Sequence, residues 1–579
     1  MGQSTHFFRH VSYNLLRASL NSLLPNPLSQ MFLEIIQVPL WVFLALPVIA
    51  HVARSWISSW RQGSRSKLPL PPGPKPVPLL GNINDLPKPG VIEYTHWLTH
   101  REKYGPISCV TILGNTLVLA NELDVALDLL EHKGNSSKTS GRPIMPFAQD
   151  LVGYENSVVF GGYNDDFRRK RALLHSAIGT AASAEHYRKC QEIESVRQLE
   201  RILDDPKNVL EHYKRASSVT ILKTVYGYSV NPSGPDPVLN SALQAMKEFS
   251  EVVKPFSWAV DLFPSLKHIP DWAPGASFKK KARAYRRTLT DMAHIPYRFV
   301  QHQLASGVDS GCTMSRLIQN SSEAAAAGGD DDERLIVWAA GSLFGAAVDT
   351  ASVSLAAFTL AMLKHPEAQR AAQAEIDRVV AVGPLGRRRL PTSADRAALP
   401  YVDAVVKETL RWWSVFPMGI PHRADEEVEY RGYRIPEGAS VLPAVWWFMH
   451  DPAVYRDPDR FDPARFTDPA RNEPDPTKSG VYGFGRRACP GRHFANNLLF
   501  VNIAQILASF NIVRLTAGEG RESDGVDGLH PTPGPVMYIK DFKFHISPRS
   551  PEHEDLIKRM ARENPVQPGG DSSIIASMA

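Results

Sequence analysis

Near the end of a 579-residue chain, the stretch YGFGRRACPGRHFA (Tyr482 to Ala495) sets one cysteine between a loop bearing glycine and arginine and an apolar run that begins near Arg492. Proline is favoured in the first turn of a helix, and the free N–H groups and dipole there lower a thiol's pKa, so Cys489 is expected to favour the thiolate. Gly485 and Gly491 carry no Cβ and would let the backbone approach a large flat ligand. Arg487 is placed to pair with an acidic group of that ligand.

A haem meets each of these needs: iron takes the thiolate, propionates take arginines, and the macrocycle uses the space the side chains leave. Two other readings stay open for this stretch alone. GFGRRA also fits the G-x-G-x-x-A dinucleotide fingerprint, although no strand precedes Gly483 and no acid stands about 20 residues further on. A lone cysteine in a loop is, besides, most often simply buried.

The chain is long enough to bury a cofactor, and its length alone leaves the domain count open. With 43% hydrophobic and 22% charged residues the composition is globular, and 65 Lys+Arg against 60 Asp+Glu leaves a net charge of +5. That balance argues against a nucleic-acid partner. The 4 cysteines, Cys109, Cys190, Cys312 and Cys489, form no CxxC or CxxxC pair, so neither a disulfide framework nor a cysteine-rich zinc site is expected. A reducing compartment follows.

After an N-terminal segment of residues 1–30, MFLEIIQVPLWVFLALPVIAHVA (Met31 to Ala53) is nearly all apolar and long enough to span a bilayer, despite Glu34, Gln37, Pro39 and Pro47. A cleaved signal peptide or a buried core helix is the competing reading. Arg54, Arg61, Arg65 and Lys67 follow the segment, against Arg9 and Arg17 before it, which puts the body of a single-pass protein in the cytosol. Residues 54–81 form a proline-rich linker. Its KLPLPPGPKPVPLLGN stretch (Lys67 to Asn82) forbids helix and favours a stiff, extended connector that would hold the body at a fixed distance from the membrane.

Residues 82–550 read as one body, mainly α with small β-sheets. GNTLVLANELDVALDLLEH passes from a strand into an amphipathic helix, and Leu399 to Trp413 and Leu499 to Phe510 repeat apolar residues at three and four. Glu427 to Val445 reads as a hairpin around Gly432 followed by a strand, and VMYIKDFKFHISP alternates as a strand should. Ala305 to Glu333 is polar and low in complexity, an expected loop before a long helix. The tail, 551–579, is polar and glycine-containing and is expected to be disordered.

The cysteine stretch resembles the haem-ligand signature of the cytochromes P-450, F-x-x-G-x-R-x-C-x-G, matched by Gly485, Arg487, Cys489 and Gly491, with Tyr482 in place of the leading Phe. Other landmarks of that family follow its order. ETLR supplies the E-x-x-R pair as Glu408 and Arg411, PARF (Pro463 to Phe466) is similar to P-E-R-F, and AAVDT (Ala346 to Thr350) is similar to A-G-x-D-T. FRRKR (Phe167 to Arg171) resembles W-x-x-x-R with Phe for Trp. Together these cover roughly residues 67 to 548, and several stretches look like the filamentous-fungal branch that oxidises secondary metabolites.

The resemblance implies the cytochrome P-450 fold behind a membrane anchor helix in the endoplasmic reticulum. It implies haem b held by Cys489, with Arg171, His422 and Arg487 on its propionates and Arg423 as an adjacent alternative. Phe167 would pack there without the hydrogen bond an indole donates. Glu408 and Arg411, three apart on one helix, with Arg465 would form a structural network. Thr350 and Asp349 would deliver protons to dioxygen, Ala347 narrowing the groove where glycine is usual.

Substrate contacts would come from Gly141 to Gly162, Phe256 to Trp272, the helix near Phe344, Val415 to Gly419 and the HPTPGPV turn. These are mostly apolar, so an apolar small molecule is expected. The implied activity is a monomeric monooxygenase that takes two electrons from NADPH through a separate reductase and inserts one oxygen atom of O2. A haem-thiolate isomerase or dehydratase, and a non-catalytic haem-binding protein, are the alternatives.

Overall fold

A computed structural model of the chain describes residues 68–578, apart from 89, 233, 255–256, 325–329, 381–387, 472, 516–525, 528–530, 541 and 566–569. The N-terminal segment, the Met31 to Ala53 anchor and the linker up to residue 67 therefore lie outside the described residues. In chain order the first half holds α1 (Glu93–Tyr104), β1 (Ile107–Ile112), β2 (Asn115–Ala120), α2 (Leu123–Leu130), α3 (Asp165–Ile178), α4 (Arg188–Asp204), α5 (Val209–Tyr226), α6 (Pro237–Val252) and α7 (Ser277–Ala305). The second half holds α8 (Thr313–Ala324), α9 (Asp330–Lys364), α10 (Pro366–Val380), α11 (Pro400–Trp412), β3 (His422–Arg423), β4 (Val428–Tyr430), β5 (Tyr433–Ile435), β6 (Ser440–Pro443), α12 (Arg492–Ser509), β7 (Phe510–Val513), β8 (His545–Pro548), α13 (Pro551–Glu563) and α14 (Ser572–Ser577). The mainly α reading with small sheets holds.

The organising element is α9, 35 residues and, at helical rise, roughly 50 Å long. Its segment Asp331–Lys364 is apolar enough to cross a membrane, with a mean hydropathy of 1.6, yet 83% of that window is buried inside the molecule. A helix apolar on all sides belongs in a core, and this one is sheathed by α5, α7 and α6 and meets α12. Pro366, which can neither donate an amide hydrogen nor continue the turn, follows its end.

β1 and β2 pair antiparallel from Ile107↔Ala120 to Ile112↔Asn115 around Leu113 and Gly114, whose φ angles of 47° and 85° suit a tight hairpin turn. β6 joins β2 in parallel, Val118 opposite Val441, and β3 closes the sheet with His422 opposite Val441. That last pairing carries His422 from the hairpin region into the core.

Of the described part of the proline-rich linker, 68–76 forms no helix or turn, as expected, but Val77 to Gly81 closes a tight turn, and the segment does not stand free. Cys109 N–H donates to Pro72 O at 2.8 Å, Arg434 N–H to Pro69 O at 2.9 Å, and Asn82 N–H to Thr111 O at 2.6 Å. It thereby covers β1, the exposed edge of the four-stranded sheet.

Three further expectations are corrected. The 551–579 tail is not disordered throughout: α13 repeats His553, Leu556, Ile557 and Ala561 at three and four and buries them, so an amphipathic pattern outweighs the polar composition. Thr313–Ala324, within the expected loop, is helical, with Met314 and Leu317 turned into the core. The VMYIKDFKFHISP alternation yields a strand only at its end, His545–Pro548.

Candidate active site

Cys489 lies between a short helical turn at Gly485–Arg487 and the first residue of α12, the helix start anticipated near Arg492. Its own N–H donates to Tyr482 O at 2.7 Å, which closes the loop on itself. The thiol is recessed, and burial pushes its pKa up against the pull of the Gly491 amide and of the Arg171 and Arg492 charges. The expected lowering by the helix start is thus outweighed by desolvation.

The loop glycines also have close neighbours within the protein. A Cβ on Gly485, whose φ is +50°, would lie 2.2 Å from the carbonyl oxygen of Leu130 at the end of α2. One on Gly491 would meet Ile178 Cδ1 at 3.3 Å. Gly485 therefore fixes the depth at which the cysteine loop sits under α2.

Around this loop lies a group of cations with little countercharge. Arg487 is buried, donating from Nε to Ser140 O at 2.7 Å, from Nη1 to Val158 O at 3.0 Å and from Nη2 to Gly161 O at 2.7 Å. That leaves two of its five N–H groups. Arg142, which motif reading missed, is equally buried and donates to Val159 O, Ile420 O and Pro421 O at 2.8, 2.9 and 2.7 Å. His422 Nδ1 lies 2.9 Å from Thr139 O; a carbonyl only accepts, so Nδ1 carries the hydrogen and Nε2 stays open.

Burial and mutual repulsion depress all of them. Arg487 is brought down to about 10 by desolvation and Arg171, against Asp425 and Tyr163. Arg142 falls well below its ordinary value through desolvation, Arg487 and Arg171. His422 falls likewise through desolvation and Arg142, against its bond to Thr139. Such a group calls for an anion. Arg423, the adjacent alternative, is instead taken up by Asp425, Nη1 to Oδ1 at 3.0 Å. The ring of Phe167 does not idle: the Arg487 guanidinium lies 3.8 Å from its centre.

In α9, Ala346 is exposed and Thr350, one turn on, is half-buried, although Val348 and Asp349 between them are buried. An open face in the middle of a core helix is a cradle for something large. Thr350 Oγ1 donates to Ala346 O at 3.0 Å, which leaves its lone pairs free to accept. Asp349 turns elsewhere, receiving Tyr538 Oη on Oδ2 at 2.9 Å.

Behind the cysteine loop, Glu408 accepts from Arg411 Nε at 2.7 Å and Nη2 at 2.8 Å, from Arg465 Nε at 3.0 Å and from Asp462 N–H at 2.8 Å. All three charged side chains are wholly buried. α11 packs on the turns Pro463–Phe466 and Pro476–Lys478, the second of which leads into the cysteine loop.

A thiol recess, cations wanting an anion and an open helix face together fit haem. A family model described as cytochrome P-450 matches residues 71–536. The chain belongs to the cytochrome P-450 family. It is 39% identical over 87% of its length to the cytochrome P-450 monooxygenase CLM2 of Gibberella zeae, covering 94% of that protein. It is 38% identical to the multifunctional cytochrome P-450 monooxygenase af510 of Aspergillus fumigatus, over 90% of this chain and 96% of the relative. An O-methylsterigmatocystin oxidoreductase of Aspergillus flavus is 34% identical over 88% and 94% of the two chains. This cytochrome P-450 is accordingly a haem monooxygenase.

Proposed function

We propose that this cytochrome P-450 inserts one oxygen atom of O2 into an apolar secondary metabolite, with electrons from NADPH passed on by a separate reductase. In this reading Met31 to Ala53 anchors a monomer in the endoplasmic reticulum membrane with the body in the cytosol. Haem, when bound, supplies an iron centre whose thiolate ligand favours O–O cleavage.

The chain's own residues do the rest. Cys489 would hold the iron through its thiolate, and Arg142, Arg171, His422 and Arg487 would hold the propionates. A carboxylate set against His422 Nε2 would supply the countercharge the buried imidazole lacks and restore its basicity. Thr350 orients a water beside the open face of α9, and Asp349 replenishes its proton. Gly141 to Gly162, Val415 to Gly419 and the helix near Phe344 shape an apolar chamber that excludes water. Glu408, Arg411 and Arg465 hold the cysteine loop in place.

The observation that carries this reading is the countercharge-poor group of Arg142, His422 and Arg487 beside the Cys489 recess. The test is the reduced, carbon-monoxide-bound spectrum, followed by NADPH turnover on a panel of apolar metabolites. A thiolate-type spectrum that survives Cys489→His overturns the ligand assignment. Turnover without NADPH or O2 would favour the isomerase.

A further inference from the structure

A cavity of about 630 Å³ opens between α5, α6, α9 and the segment carrying Tyr538. Asp349 reaches it 8% exposed, and its two oxygens are held unequally. Oδ2 accepts from the Tyr538 hydroxyl at 2.9 Å. Oδ1, buried, accepts no hydrogen bond from the described residues, and Lys214 Nζ of α5 stands 3.5 Å from it. That separation suits an ion pair better than a direct hydrogen bond. A buried carboxylate oxygen left bare is costly, and with no surface of its own open to water it depends on the Lys214 ammonium for countercharge.

Tyr538 is well placed to be a fixed donor. Burial, and then the Asp349 charge, push its phenol pKa up, with the Ser250 hydroxyl of α6 drawing it back. It therefore stays protonated and touches two helices at once. The remaining charged group on the cavity wall is Lys247, also of α6.

We propose that Tyr538 is a positioning residue for proton supply: by holding Oδ2 it keeps Oδ1 turned towards Lys214, whose ammonium, lining the cavity and open to its water, is the route by which protons reach Asp349. This rests on the relay role given above to Asp349 and Thr350. Each turnover takes two electrons from NADPH through the reductase and two protons from solvent, and one oxygen atom leaves as water. Each proton passes from the Lys214 ammonium to Oδ1 and on towards the water held by Thr350, and cavity water returns a proton to Lys214. The carboxylate is regenerated, and neither Tyr538 nor Asp349 is oxidised or reduced.

The test uses the full-length haem protein with a fungal NADPH-cytochrome reductase and no organic substrate. Oxygen consumption is divided into peroxide and water, in light and in heavy water. Tyr538→Phe should keep haem content and the carbon-monoxide spectrum. It should lower water formation by about tenfold or more, the worth of one hydrogen bond to a charged group, with a larger solvent isotope effect and more peroxide.

Asp349→Asn should do the same, and the double variant no more than Asp349→Asn alone. If Asp349→Asn moves these readings and Tyr538→Phe does not, the positioning role is overturned while the relay stands. If neither moves them, the relay falls and the positioning role with it. Lys214→Met leaves the Tyr538 bond in place and serves if Tyr538→Phe loses haem; an isotope effect unchanged in that variant overturns the cavity route.

Discussion

The guanidinium of Arg487 lies 3.8 Å from the ring centre of Phe167, so the cysteine loop is tied to α3 through the face of a residue that stands where the family usually has tryptophan. The ring replaces a donated hydrogen bond with a cation–π contact worth about 0.5–2 kcal/mol. Because Arg487 carries three backbone carbonyls besides, the contact fixes a guanidinium that, in the function proposed above, a propionate would find already aimed.

Phe167→Leu should consequently release haem faster to an apoprotein acceptor and lower denaturant stability by about 1–2 kcal/mol, from the lost ring contact and partial repacking. Phe167→Trp keeps the stack and adds a donor, so release should be no faster than in the parent. Faster release from the tryptophan variant would show that the pocket is shaped to the smaller ring.

Phe147 and Trp258 stack with ring centres 3.6 Å apart and planes 8° from parallel, and Phe147 N–H donates to Asp261 Oδ1 at 2.8 Å. These two segments are among those expected to face substrate. Burial pushes the Asp261 carboxyl up to about 6, the Phe147 amide draws it down and Asp150 pushes it up again. Once the contact opens, the group returns to near 3.8. A raised folded value means the closed contact is most favoured below about pH 4 and loses that advantage as pH rises through about 6. The stopped-flow rate of phenylimidazole binding should therefore rise from about pH 4 to about 6 and then level off. Asp261→Asn should remove the dependence.

Glu408 is the shared anion of two buried arginines. Glu408→Gln strands Arg411 and Arg465 with one charge too few, at a cost of about 3–5 kcal/mol, and should leave little folded haem protein, read as carbon-monoxide-binding pigment per total chain. Glu473→Gln removes the second carboxylate of Arg465, 2.9 Å away, and one of those facing the half-exposed Arg471, and leaves Glu408 in place; it should cost clearly less. Equal losses would mean the network is not centred on Glu408.

What could be read from the sequence followed how local the signal was. Cys489, Glu408, Arg411 and the helix starts are set by spacing along a few residues, and the chain brings them out as spaced. Arg142 was not legible, because only folding carries its loop to the Ile420 and Pro421 carbonyls and to Arg487. Tyr538 was hidden in an alternation that promised a strand, and nothing local links it to Asp349, which lies far off in sequence. That a Cβ on Gly485 would meet the Leu130 carbonyl was not legible either, because that neighbour belongs to another element. Composition misled at α13, where charges line one face and a buried stripe lies on the other.

That tail supplies the last prediction. Asp571 N–H donates to Ser229 O at 2.8 Å, Ser229 N–H donates back to Asp571 Oδ2 at 2.7 Å, and Arg197 Nη2 donates to Pro565 O at 2.9 Å. A Cβ on Gly570, at φ +57°, would stand 2.6 Å from Ser229 O, so only glycine lets the strand lie so close. Beyond it, Ile574 and Ile575 pack on the core that includes α6 and α7. The C-terminus thus straps the α5–α6 connection, on the same helix that carries Ser250 towards Tyr538. Two partly buried isoleucines and a pair of backbone-level hydrogen bonds amount to about 2–4 kcal/mol. Truncation after Asn564 should lower denaturant stability by that order and speed hydrogen exchange across residues 227–245, while the carbon-monoxide spectrum stays thiolate-like. Gly570→Ala should do part of the same without removing any other contact. Exchange in α6 that is indifferent to both changes would mean that the strap is not closed in solution.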